Sequence, residues 1–458
     1  MMLQRHCLTD FESWYSDKSN RKPLLIRGAR QIGKTTAVRL FAKEQGLELI
    51  ECNMEKPWNF KSILQNKNPQ KIIESIEFEI DRDIDADNSI LFFDEVQGSP
   101  ELIPVLRYFY EEAPQYAVIC TGSLIEFVLA EPTFSMPVGR VELYHMQPFS
   151  FEEYLLAMGH RKAFEFLQNY SFPDKIPDAI HQKLHSLVKE FIIVGGMPEA
   201  MLAYKETNKL RTVEKIKSTL IETFILDFNK YQPKANTVLL RSCFESLPLM
   251  MGKKLIYTKL DTEHKSRDIA PVVQQLKLAG VICKVFRTAA NGIPLAAEKD
   301  DRFFKVISLD SGLLLTQLGL NPGSIESTND INLVNQGVLS EQFIGQQLCG
   351  LIESYREPEL FYWARQEASS SAEVDYVITD HQGTIVPVEV KSGKTGSLKS
   401  LQLMIKEKQL NYAVRFNADT PNLLSGDRGT VWGDVQFKLL SIPHYLVGQT
   451  QRILEEMK

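Results

Sequence analysis

The stretch from Gly28 to Thr35 carries the residue types that bind nucleotide phosphates. It reads Gly-Ala-Arg-Gln-Ile-Gly-Lys-Thr, which completes a G-x4-G-K-[ST] pattern. In such a loop the glycines let backbone amides face an anion, the lysine neutralises the β- and γ-phosphates, and the threonine hydroxyl reaches Mg²⁺. The sequence therefore predicts ATP and Mg²⁺ as ligands. The predicted nucleotide contacts are Gly28, Ala29, Arg30, Gln31, Ile32, Gly33, Lys34, Thr35 and Thr36.

The segments on either side of this loop have the pattern that the motif requires. Pro23 to Ile26 is an apolar run that predicts a strand, and the chain from Thr35 onward has the composition of a helix. A strand, a loop and a helix in this order distinguish a phosphate-binding loop from a chance glycine-rich turn. The context therefore supports a nucleotide site.

Two acidic residues follow a second buried strand. Ser89 to Phe93 is largely apolar and leads into Asp94 and Glu95. A central parallel strand delivers such residues to the carboxyl edge of its sheet, where ligands of open α/β folds bind. We expect Asp94 to hold Mg²⁺, together with Thr35, and Glu95 to polarise the attacking water, which would make the protein an ATP hydrolase.

Further side chains are candidates for the same site. Thr121 and Ser123 follow the predicted strand Ala117 to Cys120, and their hydroxyls could sense the γ-phosphate, although turn formation explains them about equally well. Arg140 follows Gly139 at the end of this region and is a candidate arginine finger, acting on its own site or on that of a neighbouring copy. The alternative for Arg140 is an ordinary surface arginine.

The composition is that of a folded protein of several domains. With 458 residues, 24% of them charged and 44% hydrophobic, the chain should form roughly two to four compact units. The net charge of −6 argues against a wholly basic nucleic-acid coat. The six cysteines form no C-x-x-C pair, and no apolar run reaches the length of about 18 residues that a membrane helix needs. These features predict reduced thiols, a cytoplasmic location and no membrane partner.

The middle of the chain has a helical pattern. Amphipathic segments at 179–193 and 210–228 predict a helical lid, in which His181 and His185 would lie on a solvated face rather than bind a metal. Between 253 and 299 a helix is followed by a strand and by the turn signal Asn291-Gly292, an arrangement typical of a winged helix. Its basic residues could meet DNA phosphates; they are Lys253, Lys254, Lys259, Lys265, Arg267 and Arg287. The alternative is a module that only docks proteins, since Asp261, Glu263 and Asp268 dilute the positive charge.

A second group of charged residues lies near the C-terminus. Two alternating segments, 373–378 and 385–391, predict a hairpin that places Asp375 opposite Glu389, with Lys391 on the same face. Glu341 shares its helix face with apolar residues and so points toward the same core. These residues could bind a divalent cation at Asp375 and Glu389 for phosphodiester hydrolysis. The alternative is a salt-bridge cluster that only stabilises the domain.

The whole set of motifs resembles a bacterial and archaeal family of AAA-type P-loop ATPases whose C-terminal domain of unknown function has a PD-(D/E)XK nuclease-like core. The resemblance rests on several stretches along the chain, which are Arg27–Gln31, Phe92–Gln97, Thr121–Ser123, Gly139–Val141, Pro148–Glu153, Gly195–Glu199, Tyr257–Leu260, Leu309–Leu314 and Val388–Gly393. It implies an α/β fold class, with an AAA-type ATPase core, a helical lid, a winged-helix-like module and a C-terminal restriction-endonuclease-like α/β domain.

These expectations divide the chain into five parts. They are an N-terminal helical segment (1–20), the ATPase core (21–150), the lid (151–235), the winged-helix-like module (236–300) and the nuclease-like domain (301–458). Two functions remain open at this stage. In the first, ATP turnover by Lys34 and Glu95 licenses an action on DNA through Glu341, Asp375, Glu389 and Lys391. In the second, the nuclease-like domain is inactive and binds a protein partner, while the ATPase gates assembly, which could include homo-oligomers.

Overall fold

The computed structural model describes residues 3, 5–56, 64, 67–130, 136–228, 234–320, 336–365, 372–394, 397–425 and 437–457. The chain forms two compact units. Unit 1 contains residues 1–147 with 278–280 and 353–357, and unit 2 contains the rest of the chain.

Unit 1 is a parallel α/β unit. Its elements, in chain order, are α1 (Cys7–Ser16), β1 (Leu24–Arg27), α2 (Lys34–Glu44), β2 (Glu48–Asn53), α3 (Pro69–Ile80), β3 (Ser89–Asp94), α4 (Leu102–Glu112), β4 (Ala117–Thr121), α5 (Ile125–Leu129) and β5 (Glu142–His145). The five strands are parallel in the order β2-β3-β4-β1-β5. The predicted strands before the phosphate loop, before Asp94 and before Ser123 are confirmed as β1, β3 and β4.

Burial explains why β3 lies inside this sheet. Every residue from Ser89 to Asp94 is buried, as expected for a strand with neighbours on both sides and helices over both faces. Ile50 pairs with Leu91 on one side, and Phe92 pairs with Ile119 on the other. This placement brings the carboxyl ends of β1, β3 and β4 to the same edge of the sheet.

Unit 2 begins with helices. They are α6 (Phe151–Ala157), α7 (Arg161–Asn169), α8 (Asp178–Val194), α9 (Pro198–Thr207), α10 (Leu210–Phe228), α11 (Lys234–Ser246) and α12 (Ser266–Leu278). Ser150 and Glu153 form a reciprocal capping box at the start of α6, which satisfies backbone amides that have no partner within the helix. The helices predicted at 179–193 and 210–228 are thus confirmed.

The rest of unit 2 is built on a mixed sheet. Its elements are β6 (Ile282–Thr288), β7 (Lys299–Ser308), α13 (Ser311–Gln317), α14 (Gln336–Gly350), β8 (Leu360–Ala364), β9 (Glu373–Thr379), β10 (Ile385–Val390), α15 (Lys399–Lys408), β11 (Tyr412–Asn417), β12 (Asn422–Ser425), β13 (Lys438–Pro443), a 3-10 segment (His444–Gln449) and α16 (Thr450–Met457). The eight strands have the order β12-β13-β11-β10-β9-β8-β6-β7.

The hairpin expected near Asn291 differs from the sequence-based expectation. Its return strand is β7, which starts at Lys299 instead of at Ile293, and β6 also pairs in parallel with β8. The hairpin therefore extends the eight-stranded sheet, and the domain boundary expected at residue 300 falls inside it. The apolar run from Phe303 to Ile307 explains this, because it needs a buried sheet position.

In the part of the chain that the structure describes, no helix combines the length and the apolar character needed to cross a membrane.

Candidate nucleotide site and acidic centre

The phosphate loop of unit 1 lies between β1 and α2 at the carboxyl edge of the sheet. Gly28 and Gly33 have φ values of 133° and 94°, which side chains other than glycine rarely adopt. A Cβ atom on Gly28 would also overlap the carbonyl group of Met146. Gly33 is the N-cap of α2, so the loop presents its amides beside the positive end of that helix.

An arginine outside the motif supports the loop. One Nη atom of Arg5 donates a hydrogen bond to the carbonyl of Ile32 at 3.0 Å, and the other donates to the carbonyl of Gln147 at 2.7 Å. Ile32 itself is fully buried. Arg5 was not among the predicted site residues, because a lone arginine far from the motif gives no signal in a single sequence.

Lys34 lies inside the loop with its ammonium group on backbone carbonyls. Its Nζ atom donates to the carbonyls of Gly28 at 2.9 Å and Ala29 at 2.7 Å. Burial lowers the pKa of Lys34 to about 8, against the attraction of Glu95 and Asp94. A buried cation whose partners are neutral carbonyls is well suited to an anionic ligand, since a phosphate supplies the missing negative charge.

Thr35 and Asp94 are adjacent, as their predicted roles require. The Oγ1 atom of Thr35 lies 3.1 Å from both carboxylate oxygens of Asp94, and the hydroxyl of Thr121 also donates to Asp94. Burial raises the pKa of Asp94, while the hydrogen bond from Thr121 opposes this shift. A hydroxyl and a carboxylate at one point are oxygen donors of the kind that Mg²⁺ prefers, so the residues present fit this ion. The sequence offered the Thr121 hydroxyl as a γ-phosphate sensor, and the structure places it on Asp94.

Glu95 is held by two side chains. Its Oε2 atom accepts a hydrogen bond from Gln97 Nε2 at 2.5 Å and from Ser123 Oγ at 3.3 Å. Its backbone has a φ of 54°, an uncommon conformation for a residue with a side chain that is often found at functional sites. Ser123 therefore contacts the predicted base, and Gln97 is an additional positioning residue.

Two predicted residues lie outside this group of contacts. Thr36 is exposed on the first turn of α2. Arg140 forms an ion pair with Glu111 at 2.7 Å, and its guanidinium carbon lies 5.7 Å from the centre of the Tyr110 ring. Its side chain is 44% exposed, so it lies on the surface of unit 1.

Comparison with known domain families agrees with this geometry. Residues 20–155 match the family model described as an AAA domain. Residues 185–324 and 336–432 match two families described as domains of unknown function, DUF8612 and DUF4143. No curated protein matches the chain.

Solved structures give looser matches. The Orc1 protein of Aeropyrum pernix, solved in complex with DNA, matches with 12% identity and a TM-score of 0.29, covering 70% of this chain and 93% of that chain. RuvB of Thermotoga maritima, a Holliday junction branch migration motor, matches with 13% identity and a TM-score of 0.28, covering 61% and 89%. PCH-2 of C. elegans matches with 13% identity and a TM-score of 0.28, covering 46% and 67%. Similarity at this level carries no functional assignment.

The predicted carboxylates of unit 2 also come together. In the β9–β10 hairpin, Tyr376 pairs with Val388, and the same register places Asp375 beside Glu389. The backbone amide of Val390 donates to Asp375 at 2.8 Å, and Lys391 Nζ lies 2.5 Å from Glu389 Oε1. Burial and the nearby charge of Asp375 raise the pKa of Glu389. Its Oε2 atom is buried and has no hydrogen-bond partner among the described residues.

Lys305 was not predicted, yet it occupies the middle of this cluster. Its Nζ atom lies 2.6 Å from Glu373, 3.1 Å from Glu341 and 3.9 Å from Asp375. The lysine is 1% exposed. We call these side chains the acidic centre; its members are Lys305, Glu341, Glu373, Asp375, Glu389 and Lys391. A lysine within an apolar strand sequence such as Phe303–Ile307 was the signal that could have identified it.

Protonation in the acidic centre follows from this arrangement. Burial lowers the pKa of Lys305, but the combined attraction of Glu341, Asp375 and Glu373 outweighs burial and raises it. Burial raises the pKa of Glu341, against the opposing effect of Lys305. Within the described residues, no group of three metal-ligating side chains is arranged to hold an ion. The residues present therefore do not fit a divalent cation, because an ammonium group already lies among the carboxylates.

Another sequence motif of unit 2 is structural. Asp310, from the Leu309–Leu314 stretch, is fully buried and accepts hydrogen bonds from the amides of Gly196 at 2.5 Å and Leu313 at 3.0 Å. Gln346 Nε2 lies 3.2 Å from the same carboxylate. The motif thus joins the turn after α8, the start of α13, and α14.

The expectation that His181 and His185 lie on a solvated face was wrong. His181 Nδ1 lies 2.8 Å from the hydroxyl of Tyr445, and the rings of His185 and His444 are 6.1 Å apart. The 3-10 segment that follows β13 covers this face of α8. Sequence periodicity could not reveal this contact, because the covering segment lies far along the chain.

Proposed function

We propose that the protein is an ATP-hydrolysing switch that works with DNA. The observation that carries this proposal is the contact of Thr35 with Asp94 beside a buried Lys34, within a chain segment that matches an AAA domain. The loop amides and Lys34 would bind the phosphates of ATP. Thr35 and Asp94 would hold Mg²⁺, which supplies charge neutralisation for the transferred phosphoryl group when bound.

Glu95 is proposed as the general base. The hydrogen bonds from Gln97 and Ser123 fix its carboxylate, so that the free oxygen can take a proton from water. The contact with Ser123 offers a route by which the γ-phosphate state could be sensed. Arg140 is proposed as a finger for the site of a neighbouring copy, because its partly exposed position favours action in trans.

DNA is proposed as a partner because basic side chains surround the ring of Phe303 on β7. The ring centre lies 3.9 Å from Lys254 Nζ, and 4.1 and 5.6 Å from the guanidinium carbons of Arg287 and Arg302. Lys254 and Arg302 are exposed, whereas Arg287 is only 18% exposed. Exposed basic groups beside an aromatic ring favour contact with phosphates and bases. Asp300 pairs with Arg287 at 2.7 Å, so part of this charge is already neutralised.

A second candidate function is a regulatory protein whose nuclease-like tail is inactive and binds a protein partner. The position of Lys305 among Glu341, Glu373 and Asp375 favours it, because a lysine bound to these carboxylates competes with a catalytic metal. In this case ATP turnover would control assembly and would not license cleavage.

The test is ATP hydrolysis by the purified chain with and without DNA of several forms in Mg²⁺ and Mn²⁺, with Lys34→Ala as the blank. Stimulation by DNA supports the first candidate. Turnover that is indifferent to DNA, with all DNA left intact, supports the second. No turnover above the Lys34→Ala blank would contradict both.

A further inference from the structure

In the acidic centre of unit 2, three carboxylates surround one point, as they would surround a metal ion. The cation at that point is the ammonium group of a lysine of the same chain. Lys305 contacts Glu341, Glu373 and Asp375 through a single atom, Nζ, at 2.6 to 3.9 Å. Three carboxylates converging on one point are an unfavourable arrangement unless a positive charge lies between them. From the geometry we infer that Lys305 takes the place of a divalent cation, so that the native chain binds no Mg²⁺ or Mn²⁺ at this centre.

The surroundings of Lys305 hold its ammonium group in position. The lysine enters from β7, is 1% exposed, and its Nζ atom lies 5.2 Å from the centre of the buried Tyr362 ring. A ring face and three carboxylates all favour the charged form. A metal ion would have to displace a tethered cation that loses no translational freedom on binding, which makes exchange unfavourable.

Glu389 gives a second, independent indication of a cation-binding origin. This residue is 6% exposed, and its Oε2 atom has no partner in the described part of the chain, although Oε1 accepts from Lys391. A buried carboxylate oxygen without a donor is costly. Lys391 neutralises Glu389 through Oε1, as Lys305 neutralises Glu341, Glu373 and Asp375. Each group of carboxylates in the acidic centre therefore has an ammonium group of the chain beside it.

The inference predicts that removal of the Lys305 side chain allows the acidic centre to bind a divalent cation. In Lys305→Ala, the three carboxylates lose their cation and leave room for another, with oxygen donors that suit Mn²⁺ or Mg²⁺. The inference supports the second candidate function, because a centre without a metal ion would not cleave DNA. It concerns only cation binding by unit 2. It can be tested in nucleotide-free protein, so its failure would leave the ATP proposal unchanged.

The experiment is a Mn²⁺ titration of the nucleotide-free full chain, with free Mn²⁺ followed by electron paramagnetic resonance. Wild type and Asp375→Asn should bind the same amount of Mn²⁺, since any ion at the phosphate loop is common to both. Lys305→Ala should bind about one additional Mn²⁺ per chain, and this ion should be lost in Lys305→Ala/Asp375→Asn.

The matched control is Lys217→Ala. Lys217 is another fully buried lysine of unit 2. Its Nζ atom contacts the carbonyls of Ile193 and Gly312 at 2.9 and 3.3 Å and a single carboxylate, that of Glu214, at 3.0 Å. This variant should gain no Mn²⁺. Binding by wild type that disappears in Asp375→Asn would overturn the inference even if Lys305→Ala failed to fold, and so would a folded Lys305→Ala chain that gains no ion.

Discussion

Lys34 in unit 1 and Lys305 in unit 2 are both buried lysines beside acidic residues, but their ammonium groups have opposite environments. Lys34 donates to the backbone carbonyls of Gly28 and Ala29, and burial lowers its pKa to about 8. Lys305 contacts three carboxylates directly, and their attraction outweighs burial and raises its pKa. The first lysine still lacks a negative partner, whereas the second already has several.

The acids of the two sites differ in the same way. Asp94 and Glu95 accept hydrogen bonds from neutral hydroxyl and amide groups, those of Thr35, Ser123 and Gln97 among them. Glu341 and Glu389 are bound by lysines. Neutral partners leave a carboxylate available to a metal or a water molecule, while a bound lysine satisfies it. The comparison indicates that unit 1 is arranged for ligands, whereas the acidic centre is neutralised by lysines of the chain itself.

The largest expected effect is on ATP turnover in unit 1. Glu95→Gln should lower the rate by about 10³-fold, because the amide cannot accept the proton of the attacking water. ATP binding should persist, since Glu95 is not a phosphate contact. Lys34→Ala should lose both binding and turnover. Steady-state hydrolysis and equilibrium binding of a fluorescent ATP analogue measure the two effects.

The matched variants in unit 2 provide the comparison. Glu389→Gln should leave ATP turnover unchanged if the acidic centre is neutralised by lysines of the chain itself. A loss of turnover in this variant as large as that in Glu95→Gln would mean that the two sites act together, and the contrast drawn between them would be wrong.

The two lysines should also differ in what they contribute to stability. Lys305→Met leaves three carboxylates without their cation, and removing one partner of a buried ion pair costs about 3–5 kcal/mol. Lys34→Met removes a cation whose partners are neutral carbonyls, so the free energy of unfolding should change by only about 1 kcal/mol. Chemical denaturation, with hydrogen exchange to follow peptides from each unit, measures both values. Equal losses in the two variants would contradict the comparison.

Much of unit 1 could be predicted from the sequence because its site residues lie next to the elements that position them. The phosphate loop follows β1 directly, and Asp94 ends β3, so the local pattern was sufficient. Arg5 was missed because its contacts join the N-terminal segment to the residues after β1 and β5. The contact of Thr121 with Asp94 depends on the neighbouring positions of β3 and β4, which a single sequence does not determine.

Unit 2 was predicted less completely because its contacts join distant segments. The hairpin register fixed Asp375 beside Glu389, but Lys305 arrives from β7, a strand that the turn signal at Asn291 did not reveal. Cys283 and Cys349 show the same limit. They are 66 residues apart in the sequence, and their Sγ atoms are 3.4 Å apart in the structure.

Asp310 is a buried carboxylate of unit 2 that is held by amide donors. Its substitution measures how much such hydrogen bonds contribute to stability. It accepts from the amides of Gly196 and Leu313 and from Gln346. Asp310→Ala should lower the free energy of unfolding by about 3 kcal/mol, because several donors lose a charged acceptor. The affinity for ATP should be unaffected. Denaturation and nucleotide binding measured on the same preparation check this. The control is Asp301→Ala, which should have a much smaller effect because the Asp301 side chain is 73% exposed.

His444 is a buried base in unit 2, and it differs from the two lysines because its ring nitrogens accept or donate no hydrogen bond within the described residues. It is 1% exposed. Burial, with a contribution from His185, lowers its pKa to about 3. Because the unfolded chain binds the proton more tightly, the stabilisation is complete above pH ~6.5 and falls as the pH drops from there toward about 3.

The expected loss of stability between pH 7 and pH 5 is about 2 kcal/mol for this group. Thermal or chemical unfolding across this pH range measures it. The control is His444→Phe, which keeps a ring against His185 and cannot take up a proton, so its stability should vary less with pH. If both proteins lost stability in parallel as the pH fell, His444 would not be the group that titrates. Burial of His444 alone would then not account for the pH dependence of stability.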